Sequence, residues 1–160
     1  AIINNNRKVQ IKLIIVGTGN YEMNLKRLVA ELDQNFNIKF YGEKLNHEVP
    51  GIVGNSHLFI LPSFEEALGL VYFEAMSVKT PVVGVMDQGI ADYITHGENG
   101  YLVPPRDVAA IVDIIETLLE KSNDLKEVGE KGFRVFEESN VEWSKNVDKH
   151  LEIYHRLLKV

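Results

Sequence analysis

Five short apolar segments set the strongest limit on what this chain can fold into. They are "VQIKLIIV" (9–16), "IKFY" (38–41), "HLFIL" (57–61), "PVVGV" (81–85) and "YLV" (101–103). Runs rich in β-branched residues and nearly free of polar ones predict strands buried on both faces. Segments of helical spacing separate them. The alternation predicts an α/β fold, a Rossmann-like doubly wound parallel sheet of about five to six strands with helices on both faces.

The chain is predicted to be helical after the fifth segment. Asp107 is placed to cap the first of three C-terminal helices. Gly129 and Gly132 fall inside the second and are expected to weaken it. The third carries an apolar stripe made of Trp143, Val147, Leu151, Tyr154 and Leu158. That stripe predicts either core packing or contact with a domain missing from this chain.

Length and composition narrow the function. We expect residues 1–160 to form one domain. The net charge of -6 argues against a nucleic-acid partner, which needs a basic face. There is no cysteine, and the five histidines show no metal-ligand spacing. No apolar run approaches the roughly 20 residues of a membrane span. The lack of cysteine fits a cytoplasmic setting, which we expect. Because the chain starts at Ala1, we expect a fragment of a larger protein.

The stretch "PSFEEALGLVYFEAM" follows the third predicted strand and lies where such sheets bind ligands, beyond the carboxyl ends of the strands. Glu66 and Glu74 flank Gly69, and on one continuous helix they would lie about 12 Å apart along the axis. If a helix begins near Gly69, the amides of Leu68, Gly69 and Leu70 form an anion site at its N-terminus.

Two carboxylates beside an anion site suit a ligand with hydroxyls on both sides of a phosphate. A nucleotide sugar has this shape, since its diphosphate joins ribose hydroxyls to sugar hydroxyls. A simpler interpretation is that Glu66 caps the helix and Glu74 is surface charge. That interpretation leaves Gly69 without a particular reason.

Several motifs resemble one known family. "LPSFEEALGLVYFEAMSVKTPVV" is similar to the "PS-x-x-E-G-F-G-L-x-x-x-E-A-M-A-x-G-x-P-V-V" signature of GT-B glycosyltransferases, especially glycosyltransferase family 4. "LIIVGTGN", "IKFYGEKLNHEVPGIVGNSHLFILPS" and "GIADYITHGENGYLVPPRD" resemble further segments of that family. The likeness runs in order from about Lys12 to Leu158.

The resemblance implies the C-terminal, nucleotide-sugar-binding domain of a retaining hexosyltransferase in polysaccharide or glycolipid biosynthesis. By resemblance, Glu66 contacts the donor sugar and is the catalytic candidate, and Glu74 holds the ribose. The segment that contacts sugar and diphosphate also includes Ala67, Leu68, Gly69 and Leu70. The residues against the nucleobase are Tyr41, Gly42, Glu43 and Leu45. The family usually works without a metal, so neither metal nor cofactor is expected.

The chain also departs from the family pattern. The Arg and Lys that neutralise the diphosphate usually precede the first strand, and Arg7-Lys8 does not match them. We expect that segment to be cut off or lost. Gln88 replaces the first glycine of a "GGI" turn. Lys79 occupies a common glycine position, where a positive φ would cost lysine on the order of 1 kcal/mol.

The resemblance also implies an N-terminal acceptor-binding domain that is missing here. We therefore expect this chain alone to have little or no transferase activity. Association with the inner face of a membrane would depend on that missing half. Two alternatives stay open. One is another GT-B enzyme, such as a nucleotide-sugar epimerase or a glucan synthase. The other is a non-catalytic flavodoxin-like binding domain, although Gly17-Thr18-Gly19 lacks the acidic cluster of such receivers.

Overall fold

The computed structural model describes residues 11–32, 37–63, 65, 67–120, 124–139 and 143–158. The chain divides into two compact units, and the boundary lies between Val49 and Pro50. The described strands form a two-stranded and a three-stranded parallel sheet. The predicted α/β class with parallel strands is confirmed, whereas a single domain over residues 1–160 stays a prediction.

The first unit pairs two strands across one helix. It contains β1 (Lys12–Val16), α1 (Glu22–Glu31) and β2 (Asn37–Gly42). Lys12 lies opposite Asn37, and a register shift after Ile15 places Val16 opposite Gly42. The amide of Gly17 donates to the carbonyl of Gly42 at 2.7 Å. With Gly17 at φ 112°, the chain makes a tight turn between strand and helix.

The second unit contains three strands, five α-helices and one short 3-10 helix among its described residues. Its elements up to the last strand are α2 (Val49–Gly54), β3 (Phe59–Ile60), α3 (Leu70–Ser77), β4 (Val82–Val85), the 3-10 helix Gly89–Asp92 and β5 (Tyr101–Val103). The helices that follow are α4 (Val108–Glu120), α5 (Asp124–Glu138) and α6 (Trp143–Leu158).

The three-stranded sheet has β4 at its centre. Val83 pairs with Ile60 on one side and with Tyr101 on the other, and both pairings are parallel. Every residue of β4 is buried, as its apolar sequence predicts. The carboxyl ends of all three strands therefore point to one edge of this sheet, the edge where the candidate site was expected.

Helix α3 is anchored to the sheet by aromatic side chains. Tyr72 and Phe73 are both fully buried. The hydroxyl of Tyr72 donates to the carbonyl of Leu61 at 2.6 Å, and its ring meets Phe59 edge to face. Phe73 meets Tyr93 edge to face, with 4.9 Å between ring centroids. These contacts hold α3, the helix that carries Glu74, against the sheet.

Helices α4 and α5 cover the same sheet. Asp107 Oδ1 accepts a hydrogen bond from the amide of Ala110 at 3.0 Å, which confirms the predicted cap. The core that joins these helices to the strands contains Val83, Val85, Tyr101, Val103, Ile114, Leu118 and Val128. Burial raises the pKa of the Tyr101 phenol, and the charge of Asp124 adds to this.

Helix α5 shows why its two glycines are present. A Cβ on Gly129 would overlap the carbonyl oxygen of Lys79, and one on Gly132 would lie 3.0 Å from the carbonyl oxygen of Asn99. Both glycines are buried, and the helix continues through them. The expectation that they weaken the helix is thus incomplete, because they let it approach neighbouring backbone closely.

Helix α6 leaves part of its predicted stripe exposed. Val147, Leu151 and Tyr154 are all exposed, so core packing is wrong for these three, and contact with a missing domain stays a prediction. The side chains of Trp143 and Leu158 lie outside the described residues. In the part of the chain that the structure describes, no helix is both long enough and apolar enough to cross a membrane.

Candidate anion-binding site

The candidate site is centred on the first turn of α3. Gly69 is the N-cap residue and adopts the left-handed conformation, with φ 68° and ψ 68°. The helix begins at Leu70, one residue later than predicted. A side chain at position 69 would be strained in this conformation. The backbone therefore supplies a reason for Gly69 that the sequence alone did not.

The amides that enter α3 are not used within the described protein. The amide of Tyr72 donates to the carbonyl of Gly69 at 2.9 Å and closes the first turn. Among the residues that the structure describes, no acceptor is present for the amides of Leu68, Gly69 and Leu70. No side chain there caps the helix either. Three N–H groups at the positive end of a helix dipole can bind an anion.

A narrow exposed strip runs along α3 from this site. Leu70 is 60% exposed and Glu74 is also exposed, whereas four other residues of the helix are buried: Tyr72, Phe73, Ala75 and Met76. Four residues of helix place Glu74 about 6 Å along the axis from Leu70, on the same face. A ligand anion at the helix start would therefore have a carboxylate within reach of its neighbouring groups.

The proposed sugar contact cannot be placed. Glu66 lies outside the described residues, and its role as sugar contact and catalytic residue stays a prediction. Of the neighbouring segment, Ala67 is exposed, Leu68 is half-buried and Gly69 is buried. Glu65 has a φ of 74°, which is unusual for a residue with a side chain.

The predicted nucleobase segment lies in the first unit, where Tyr41 and Gly42 are the last two residues of β2 and Glu43 and Leu45 follow the strand. Tyr41, Glu43 and Leu45 are exposed, and Gly42 takes a φ of 65°. The amide of Leu45 donates to Glu48 Oε2 at 2.9 Å.

Glu48 was not singled out in the sequence. The hydrogen bond from Leu45 lowers the pKa of Glu48, and the nearby Lys44 lowers it further. The sequence signal for this contact is that Glu48 follows Leu45, the residue whose loop amide it accepts from, by three residues. Asn46 is of a residue type that favours the start of a helix, but α2 begins three residues later, at Val49, so Asn46 is not its N-cap.

A second feature of the carboxyl edge was also missed. Asp87 after β4 and Arg106 after β5 both have a φ of 61°, in the left-handed region. Gly89 follows Asp87, and a Cβ on it would overlap the carbonyl oxygen of Ala67. Strained backbone often accompanies functional sites, and here it lies at the carboxyl ends of neighbouring strands. The "QGI" turn was noted in the sequence only for its missing first glycine.

The residue types bear on which ligands fit. Within the described ranges, no three His, Asp or Glu side chains come together in a way that could hold a metal ion. From the described residues, the site offers main-chain donors, the carboxylate of Glu74 and an exposed leucine. Such a set can receive a phosphate group together with neighbouring hydroxyls.

Comparison with known proteins gives one family. A profile described as "Glycosyl transferases group 1" matches residues 1–135. The N-acetyl-alpha-D-glucosaminyl L-malate synthase of Bacillus anthracis is 31% identical over 153 residues, which cover 95% of this chain and 39% of that protein. The D-inositol 3-phosphate glycosyltransferase of Pseudarthrobacter chlorophenolicus is 30% identical over 149 residues, which cover 92% of this chain and 35% of that protein.

Solved structures agree on the fold. Sucrose-phosphate synthase from Thermosynechococcus elongatus superposes with a TM-score of 0.81 at 23% identity, over 92% of this chain and 39% of that chain. HepE of Anabaena, solved in complex with UDP, superposes with a TM-score of 0.76 at 22% identity, over 94% of this chain and 41% of that chain. The chain thus spans about two fifths or less of these relatives.

Proposed function

The chain belongs to the glycosyl transferases group 1 family, and from that premise we propose that it is the nucleotide-sugar-binding part of a retaining glycosyltransferase of family 4. The reaction would transfer a hexosyl group from a nucleotide-diphosphate sugar to an acceptor. By analogy with the family, the product would enter a polysaccharide or glycolipid. The isolated chain would have little activity, because the acceptor would be bound by another domain.

The start of α3 carries this proposal. The amides of Leu68, Gly69 and Leu70 have no acceptor among the described residues, and Glu74 is exposed one turn later. In the proposed complex the amides receive the diphosphate, and Glu74 accepts hydrogen bonds from the ribose hydroxyls. Donors that are already oriented stabilise the charge that develops on the leaving diphosphate without further reorganisation.

The remaining roles rest on the family resemblance. Glu66 would accept hydrogen bonds from the donor sugar and act in catalysis. The nucleobase would contact the loop of Tyr41, Gly42, Glu43 and Leu45, and Ala67 would join the amides that bind sugar and diphosphate. No metal or cofactor takes part in the proposed reaction. The protein would work in the cytoplasm, at the inner membrane face if its other domain binds lipid.

An amide NMR titration of the full-length protein tests the proposal. We expect UDP, GDP or ADP, or one of their sugar conjugates, to shift the amide resonances of Leu68, Gly69 and Leu70. Glu74→Ala should weaken binding about tenfold or more, because it removes a charge-assisted acceptor. Glu138→Ala, at an exposed position at the end of α5, is the matched control and should bind normally.

Two outcomes would reject the proposal. One is that none of these nucleotides, at millimolar concentration, moves the three amide resonances. The other is that Glu74→Ala binds as tightly as the Glu138→Ala control. The stereochemistry needs its own measurement. The anomeric configuration of the product of the full-length enzyme, followed by NMR, should match that of the donor, and an inverted product would exclude a retaining mechanism.

A further inference from the structure

We propose that Gly89 is a positioning residue for the candidate site, because its missing side chain leaves room for the Ala67 carbonyl. This inference rests on the proposed function for its ligand, and on the contact itself for its structural part. A Cβ on Gly89 would overlap the Ala67 oxygen and lie 3.0 Å from the Cα of Leu68. The segment whose amides have no acceptor among the described residues therefore lies directly against this glycine.

The requirement at Gly89 is for space. Its φ lies outside the left-handed region, unlike that of Gly69. Alanine could adopt the backbone conformation of Gly89 without torsional strain. The obstruction is a main-chain atom, so it cannot turn away as the end of a flexible side chain can. An added methyl group must therefore displace one of the two backbone segments.

The 3-10 helix that begins at Gly89 has little room to retreat. Ile90 is completely buried and packs closely on Gly84. A Cβ built on Gly84 would lie only 2.9 Å from the Cγ2 of Ile90. Tyr93, just after this helix, meets Phe73 of α3 edge to face. Moving the 3-10 helix outward would pull Ile90 from the core and break the aromatic pair.

The opposing segment is the one that can yield. Helix α3 is fixed from Tyr72 onward by the hydrogen bond to the Leu61 carbonyl and by burial. Ala67, in contrast, is exposed and precedes the helix. A side chain at position 89 would thus shift the Ala67 carbonyl and rotate the peptides of Leu68 and Gly69. The anion donors would then point away from a common centre.

The test compares Gly89→Ala with Gly51→Ala in the full-length protein. Gly51 lies in α2, and a Cβ there would meet nothing within 4 Å. We expect Gly89→Ala to shift the unliganded amide resonances of Leu68, Gly69 and Leu70, and to weaken binding of the nucleotide diphosphate about tenfold to a hundredfold. Gly51→Ala should change neither quantity.

The two readouts separate the two proposals. If the three resonances of Gly89→Ala match those of the wild type, the positioning role is wrong. The same holds if they move but nucleotide affinity is unchanged. If the wild type binds none of the nucleotides while Gly89→Ala still shifts the loop amides, the positioning role stands and the proposed function fails.

A measurement on the wild type covers the case in which Gly89→Ala does not fold. Backbone ¹⁵N relaxation should give the amides of Leu68 and Gly69 order parameters of about 0.85, the value typical of rigid backbone. Order parameters below about 0.6 would overturn the proposal, because a segment that moves freely is not held by Gly89.

Discussion

In the turns before and after β4, a glycine packs closely against a main-chain carbonyl, but the two contacts have different consequences. Before β4, at the amino edge of the sheet, Gly129 of α5 lies against the carbonyl of Lys79. After β4, at the carboxyl edge, Gly89 lies against the carbonyl of Ala67. Each turn also contains a residue with a side chain in the left-handed conformation, Lys79 at φ 60° and Asp87 at φ 61°.

The segments that meet at the two edges differ in whether their polar groups have partners within the described protein. At the amino edge, the amide of Thr80 donates to the Ala75 carbonyl at 3.0 Å, and its hydroxyl donates to the Val53 carbonyl at 3.0 Å. Lys79 Nζ lies 2.8 Å from Glu130 Oε2 and 5.2 Å from the centre of the Phe133 ring.

At the carboxyl edge, Gly89 packs instead against the segment before α3, in which the amides of Leu68, Gly69 and Leu70 have no acceptor among the described residues. Close packing therefore accompanies paired polar groups at the amino edge, whereas at the carboxyl edge it leaves the segment before α3 open to a ligand. The difference predicts that substitutions at the amino edge change stability, whereas the corresponding change at Gly89 acts on binding.

The largest stability effect is expected for Gly129→Ala. The new Cβ would overlap the Lys79 carbonyl, and α5 would have to move away from the turn. Overpacking of this kind costs about 1–3 kcal/mol, partly offset by the better helix propensity of alanine. We expect the free energy of unfolding in urea to fall by about 2 kcal/mol. A fall no larger than that of Gly51→Ala would show that the amino-edge contact is not tight.

A smaller effect is expected for Gly132→Ala. Its Cβ would lie 3.0 Å from the Asn99 carbonyl oxygen, so a small adjustment of the neighbouring turn relieves the contact. We expect a loss of about 1 kcal/mol or less in the same urea experiment. If Gly132→Ala were more destabilising than Gly129→Ala, the order of the two contacts along α5 would be wrong.

The smallest effect is expected for Lys79→Gly. Glycine would relieve the cost of positive φ, about 1 kcal/mol, but would remove the contacts with Glu130 and Phe133. Because these contributions oppose each other, the net change in unfolding free energy should be smaller than for Gly132→Ala. Urea denaturation at low and high salt separates them, since only the ion pair is screened.

The pH dependence of the same pair gives a further check. The hydrogen bond from Lys79 lowers the pKa of Glu130 below its ordinary 4.5. The stability from this pair is therefore present above pH 4.5 and is lost as pH falls through the lower pKa of the folded state. Glu130→Gln should be less stable than the wild type at pH 7, and the difference should vanish in acid. A difference that persists unchanged in acid would mean that charge is not its cause.

Features set by local sequence were predicted well. The fifth strand was expected at 101–103 and occurs there, because "YLV" lies between a glycine turn and two prolines. Asp107 was expected to cap α4, and it does. The start of α3 was placed within one residue of its true position. Each of these depends on a few neighbouring residues and their backbone preferences.

Features that join distant segments were not predicted. From the sequence, Gly129 is only a poor helix former. Its packing contact was not predicted, because the partner, the carbonyl of Lys79, lies far away in the sequence. Gly89 looked like part of an imperfect turn for the same reason. Val147 and Leu151 show the converse, since a stripe of helical spacing does not say which surface covers it. The catalytic role that the resemblance gives to Glu66 remains a prediction.

The Gly89 contact has a consequence for how this sequence can vary. The atom that blocks a side chain at position 89 is the carbonyl oxygen of Ala67, which every amino acid possesses. No substitution at position 67 can compensate for a larger residue at position 89. The two positions should therefore behave asymmetrically among descendants of this protein. Position 67 is free to drift within the limits of its exposure, whereas position 89 stays glycine for as long as the loop keeps its present path.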